Sequence, residues 1–140
     1  MFQYDGFDEY GYIYYPYTCL EDNAKCKLHF FLHGCMGTAA LLGEITIRNI
    51  GLMEWAATND IIVVFPQNKY NYGSNLFCCW SHQDYSLPDE NYFNNLGIQN
   101  AAFKRMIDRL TSERDTSAYN YDGWRTFFSF TPFEGHNMAD

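Results

Sequence analysis

Apolar and polar positions follow one another in a definite order along the chain. The run Tyr12-Ile13-Tyr14-Tyr15, β-branched and aromatic and stopped by Pro16, predicts a strand. Polar turn material from Leu20 to Lys25, between Cys19 and Cys26, leads into Lys27-Leu28-His29-Phe30-Phe31-Leu32, a short apolar run bounded by turns that reads as a buried strand. It gives way to His33-Gly34-Cys35-Met36-Gly37-Thr38, where two glycines three residues apart allow unusual dihedrals and close approach to a ligand. From Ala39 to Asn59 the spacing becomes helical, with Leu41, Leu42, Ile45, Ile50, Met53, Trp55, Ala56 and Ala57 on the apolar face and Gly51 as an interruption. Ile61-Ile62-Val63-Val64-Phe65, closed by Pro66, does not alternate. Such a run is buried on both faces, as a parallel strand under helices is.

Residues 67 to 96 read as a long polar and aromatic loop, of a length that ordered proteins tend to reserve for function. The clearest helix follows over 98–110, placing Phe103, Met106, Ile107 and Leu110 at i, i+3, i+4 and i+7 as its apolar stripe. Beyond Thr111 the period fades. The organisation expected is a lead-in over 1–10, a domain over 11–111 and an uncommitted tail over 112–140. The order strand, loop, helix, strand makes the fold class α/β.

A chain of 140 residues allows one domain of ordinary size. Its 17 acidic against 9 basic residues give a net charge of −8, which argues against nucleic acid and against anionic membranes as partners. No apolar stretch approaches the length of a membrane span, and Met1 to Asp5 carry no targeting signal. Five cysteines, Cys19, Cys26, Cys35, Cys78 and Cys79, are compatible with two disulfides and a free thiol or with reduced structural thiols. The adjacent Cys78-Cys79 and the absence of Cys-x-x-Cys fit structural zinc poorly, so no metal is expected.

The strongest chemical signal is Leu32-His33-Gly34-Cys35 at the carboxyl end of a strand, where open α/β sheets bind their ligands. In α/β-hydrolases a His-Gly loop in this place supplies a backbone N–H of the oxyanion hole, which makes the Cys35 N–H the donor. The plain alternative is a tight strand-to-helix connection with no ligand. His29 reads as structural and His33 as a group that fixes the loop. His82 faces either the site near Trp80 or solvent, and Asp89-Glu90 read as solvated surface. The serines are Ser74, Ser81, Ser86, Ser112, Ser117 and Ser129, none within Gly-x-Ser-x-Gly, so His136 has no nucleophile here to serve.

Three stretches together are specific: Cys26 to Cys35, Gly51 to Ala56, and Asn59 to Gln67 with its Val-Val-Phe-Pro-Gln. With Cys79-Trp80 and the helix from Gly97 to Leu110, they resemble the poly(3-hydroxybutyrate) depolymerase family of α/β-hydrolase esterases over roughly residues 11 to 111. The resemblance implies a Ser-His-Asp triad acting on small or polymeric esters without a cofactor. One branch of the family is circularly permuted, with the triad first and the oxyanion loop in the C-terminal part. This chain resembles that C-terminal part, an incomplete α/β-hydrolase fold whose catalytic half is expected upstream and which alone is expected to be inactive, unstable or self-associating.

Carried over position by position, the resemblance implies that the Cys35 N–H faces the oxyanion and that Trp80 contacts the substrate, with a core tryptophan as the alternative. It also implies disulfides Cys19–Cys26 and Cys35–Cys79, stabilising by about 2.5 and 4 kcal/mol in the chain-entropy model, with Cys78 free or exchanging roles with Cys79. Disulfide use implies the secretory route or the cell exterior. Two other functions compete with the enzyme portion: a truncated, non-catalytic binding module, and a redox protein using the vicinal Cys78-Cys79, which lacks the usual active-site spacing.

Overall fold

The computed structural model describes residues 6–21, 23–72, 75–80, 90–112 and 129–132. Strands β1 (Tyr10–Tyr14), β2 (Lys27–Phe30), β3 (Ile61–Phe65) and β4 (Ser129–Pro132) form one sheet in the order β2-β3-β1-β4. The β2–β3 pair is parallel, with Lys27 opposite Ile61 and Phe30 opposite Val64. β1 runs antiparallel to β3, pairing Tyr12 with Phe65, and β4 lies parallel to β1. The sheet is therefore mixed, and β3 holds the interior position that its unbroken apolar run requires.

Period-2 alternation turns Ile61, Val63 and Phe65 of β3 into one core. Ile61, Val63 and Phe65 are buried with Ile47 and Ala56 of the helical segment, and Tyr12, Tyr14, Phe31, Leu52 and Met53 pack around them. On the other face Phe7, Ala102 and Met106 are buried with Phe30, Trp80 and Phe103 against them. Complete burial of Val63 and Val64 contributes roughly 1.5–3 kcal/mol each relative to exposure.

The segment read as one interrupted helix is three short ones, α1 (Ala39–Leu42), α2 (Ile45–Asn49) and α3 (Leu52–Thr58). The breaks fall at Gly43 and Gly51, whose φ of +61° and +75° lie in the left-handed region that a residue with a Cβ enters only with strain. Gly51 was legible as a break. Gly43 was not, because it lies between two apolar clusters that keep helical spacing across it. The kinked path leaves Leu41, Leu42, Ile45 and Trp55 exposed instead of forming one apolar face.

Helix α4 (Ile98–Thr111) matches its expected span, but its stripe is rotated. Gln99, Ala102 and Met106 are buried, and Ile107 and Leu110 are each 38% exposed. The small Ala102 lets the helix approach the second core, turning the larger residues of the same apolar face outward. From Gly6 onward the segment read as a lead-in makes contacts with the rest of the fold. Phe7 is buried and edge-on to Phe103 at 5.0 Å, Asp8 N–H donates to Gln67 O at 2.9 Å, and Lys69 N–H donates to Gly6 O at 2.8 Å. A lone aromatic residue among polar ones carries no period, so only tertiary contact reveals its burial. Residues 1–5, the loop 81–89 with Ser81, His82 and Asp89, and most of the tail, including Ser117 and His136, lie outside the described residues, as does Ser74.

Candidate functional site

β2 ends at Phe30, and the chain then turns through His33 to Thr38 beside the carboxyl end of β3. His33 is buried at the centre of this turn. Its Nε2 accepts the Asn68 N–H at 3.2 Å. A ring nitrogen that accepts is unprotonated, so Nδ1 carries the proton and donates it to the Gly34 carbonyl at 2.7 Å. Burial lowers the imidazole pKa from the ordinary 6.5, opposed in part by that Gly34 hydrogen bond. A neutral ring fixed at both nitrogens holds the loop and has no free nitrogen to act as a base. His29, by contrast, projects from β2 into solvent.

The Gly34 carbonyl also receives the Gly37 N–H at 3.0 Å, closing the turn. A Cβ on Gly37 would sit 3.0 Å from that oxygen, so the turn needs close approach at this position. The left-handed residue of the turn is Met36, with φ +63°, and neither Gly34 nor Gly37 takes a positive φ. Cys78 is left-handed as well, with φ +48°. Both strained residues adjoin a disulfide cysteine, at a cost on the order of 1 kcal/mol each, and Met36 N–H is held by Phe77 O at 2.6 Å.

The disulfides are Cys19–Cys26 and Cys35–Cys79, and Cys78 is a buried free thiol. Burial first and the Asp8 charge second raise the Cys78 pKa, so the thiol stays protonated near neutrality and is a poor nucleophile. Trp80 lies beside this knot. Its indole N–H donates to the His33 main-chain oxygen at 2.9 Å, and its ring stands 5.1 Å from His33 and 5.3 Å from both Phe7 and Phe103. It is half-buried, one face in the second core and part of its surface open. The structure thus brings together Cys35, Cys79 and Trp80, and leaves the Cys19–Cys26 loop elsewhere.

Sequence reasoning missed the polar layer beneath. Gln67 Oε1 accepts the Ala39 N–H at 2.7 Å and the Thr38 hydroxyl at 3.2 Å. Asn68 Nδ2 donates to Cys79 O at 2.8 Å, its Oδ1 accepts from Asn75 Nδ2 at 2.7 Å, and Asn75 Oδ1 accepts the Cys79 N–H at 2.9 Å. Thr38 and Asn68 are fully buried. The available signal was Pro66-Gln67-Asn68 directly after an all-apolar strand, since amides there can satisfy loop backbone that water does not reach. Among the described residues no group of His, Cys, Asp or Glu could hold a metal ion, and no helix is long and apolar enough to cross a membrane.

A mixed sheet with helices on both faces, and a His-Gly-Cys turn at the carboxyl end of a parallel strand, has the layout of part of an α/β-hydrolase. The chain is a partial match to the poly(3-hydroxybutyrate) depolymerase-like members of that class. It is 36% identical over 103 residues to a poly(3-hydroxybutyrate) depolymerase of Delftia acidovorans, covering 73% of this chain and 20% of that protein. To a polyhydroxybutyrate depolymerase of Talaromyces funiculosus it is 40% identical over 118 residues, covering 77% of this chain and 34% of that one. Among solved structures, a PHB depolymerase complexed with an R3HB trimer superposes with a TM-score of 0.69 at 28% identity, over 76% of this chain and 36% of the other. The PHB depolymerase from Penicillium funiculosum gives 0.68 at 29% identity, over 75% and 36%. No protein-family model matches the chain. The chain therefore spans about a fifth to a third of the length of the relatives it matches.

Proposed function

We propose that this chain supplies the oxyanion-hole loop and the substrate wall of a serine-dependent hydrolase of hydroxyalkanoate esters, with the nucleophile on sequence outside residues 1–140. The observation that carries this reading is the free Cys35 N–H: among the described residues nothing accepts it. It belongs to an exposed residue at the mouth of the sheet, disulfide-linked to the residue before Trp80. A backbone donor held with no internal partner is what a developing oxyanion requires. The half-buried indole beside it offers apolar surface to an acyl chain. The R3HB trimer bound to a depolymerase of similar fold supports a hydroxybutyrate ester as the ligand. The two disulfides support the secretory route or the cell exterior as its location.

Two measurements on the 140-residue chain test this. Hydrolysis of p-nitrophenyl butyrate should be absent, and turnover blocked by a serine-directed phosphonate would show that the chain carries its own nucleophile. Titration with (R)-3-hydroxybutyrate trimer should perturb the Cys35 amide and the Trp80 indole resonances. Saturable shifts confined to other residues, or none up to the solubility limit, would overturn the assignment of the site.

A further inference from the structure

We infer that His33 is a positioning residue that aims the Cys35 N–H outward by holding the preceding carbonyl inward. The argument rests on peptide geometry. The Gly34 C=O and the Cys35 N–H belong to one planar trans unit, in which carbonyl and N–H point in opposite directions. The Gly34 carbonyl is occupied twice, by the His33 Nδ1–H at 2.7 Å and by the Gly37 N–H at 3.0 Å. Two donors on one oxygen fix the rotation of that plane, and the Cys35 N–H is then directed away from the turn, where no described group accepts it.

The His33 ring in turn does not float. Its Nε2 is held by the Asn68 N–H, and the Asn68 side chain holds the Cys79 carbonyl, one residue before Trp80. His33 also supplies the main-chain oxygen that receives the Trp80 indole. One buried side chain and its own carbonyl therefore set both the donor and the wall, and the Cys35–Cys79 disulfide closes the ring covalently. The functional meaning of this rests on the reading of Cys35 and Trp80 given above; the geometry and its test do not.

The test is solution NMR on the full chain, with His33→Phe removing both ring hydrogen bonds and His33→Asn keeping a donor short enough to reach only the Gly34 carbonyl. In His33→Phe the Gly37 amide should exchange about tenfold faster, while the α4 amides stay within about twofold of the parent protein. The residual dipolar coupling of the Cys35 N–H should fall toward zero. His33→Asn should restore both signals. An unchanged Gly37 amide and Cys35 coupling in His33→Phe, with α4 intact, would overturn the inference. Should His33→Phe lose α4 protection and so fail to fold, the parent protein decides: a Cys35 coupling that fits the rigid turn supports it, and one already averaged to near zero refutes it. Absent trimer binding with an intact Cys35 coupling would count against the ester site and leave the role of His33 standing.

Discussion

The indole nitrogen of Trp80 donates to the main-chain oxygen of His33 across 2.9 Å, joining positions 47 residues apart. This bond fixes which edge of the indole faces inward, and so which part of the ring remains open beside Cys35. Packing against Phe7 and Phe103 alone would leave the ring free to turn about its long axis.

Trp80→Phe keeps the aromatic contacts and removes this bond, leaving the His33 carbonyl without its donor. The expected loss is about 1 kcal/mol. Trp80→Ala also vacates part of the second core and should cost about 3 kcal/mol, at the low end for a large aromatic residue because Trp80 is only half-buried. Urea unfolding of the two variants checks the order, and equal midpoints would show that the hydrogen bond contributes nothing beyond packing.

The lowered pKa of His33 makes stability depend on pH. The unfolded chain takes up the proton first, at the ordinary value of 6.5, while the folded chain resists it until lower pH. The contribution is therefore complete above 6.5 and is lost as pH falls from there through the folded value. Comparing urea midpoints between about pH 8 and pH 5 in the parent protein and His33→Asn isolates the effect. A parent protein whose pH dependence matches that of the variant would contradict it.

Five cysteines with two disulfides leave 5 − 4 = 1 thiol, that of Cys78. Denatured, unreduced protein should titrate with one thiol, and peptide mapping should recover Cys19–Cys26 and Cys35–Cys79. Five free thiols would refute the pairing. Replacing both Cys35 and Cys79 by Ser should cost more than replacing Cys19 and Cys26, about 4 against 2.5 kcal/mol in the loop-entropy model, because the closed loop is longer.

Asn68→Asp preserves shape and exchanges a buried donor for an acceptor opposite the Cys79 carbonyl. The expected cost is about 2 kcal/mol or more, since the new carboxylate oxygen faces the Cys79 carbonyl without access to water, and that carbonyl keeps only the Asn75 Nδ2–H at 2.9 Å. A thermal midpoint unchanged from the parent protein would show that the amide network carries no stability.

The exposed Leu41, Leu42, Ile45 and Trp55 lie on consecutive short helices and offer apolar surface to another molecule. The isolated chain should self-associate in sedimentation velocity at about 100 µM, and Leu42→Glu with Ile45→Glu should reduce that association. A monodisperse monomer for the parent chain at that concentration would show that this face needs no partner.

Period and composition alone determined much of this protein. The unbroken run from Ile61 to Phe65 pointed to an interior strand, the spacing of Phe103 and Met106 to a helix, and the His-Gly-Cys turn after an apolar strand to a candidate site. These are local properties: each follows from which residues are apolar and how far apart they stand. What tertiary structure decided is what no period encodes. The burial of Phe7, the turning outward of Ile107 and Leu110, and the amide layer of Gln67, Asn68 and Asn75 arise where segments distant in sequence meet and backbone polar groups must find partners away from water. The direction of the Cys35 N–H belongs to the same class, because it depends on a carbonyl held by a histidine ring that is itself held by Asn68, 35 residues further along the chain.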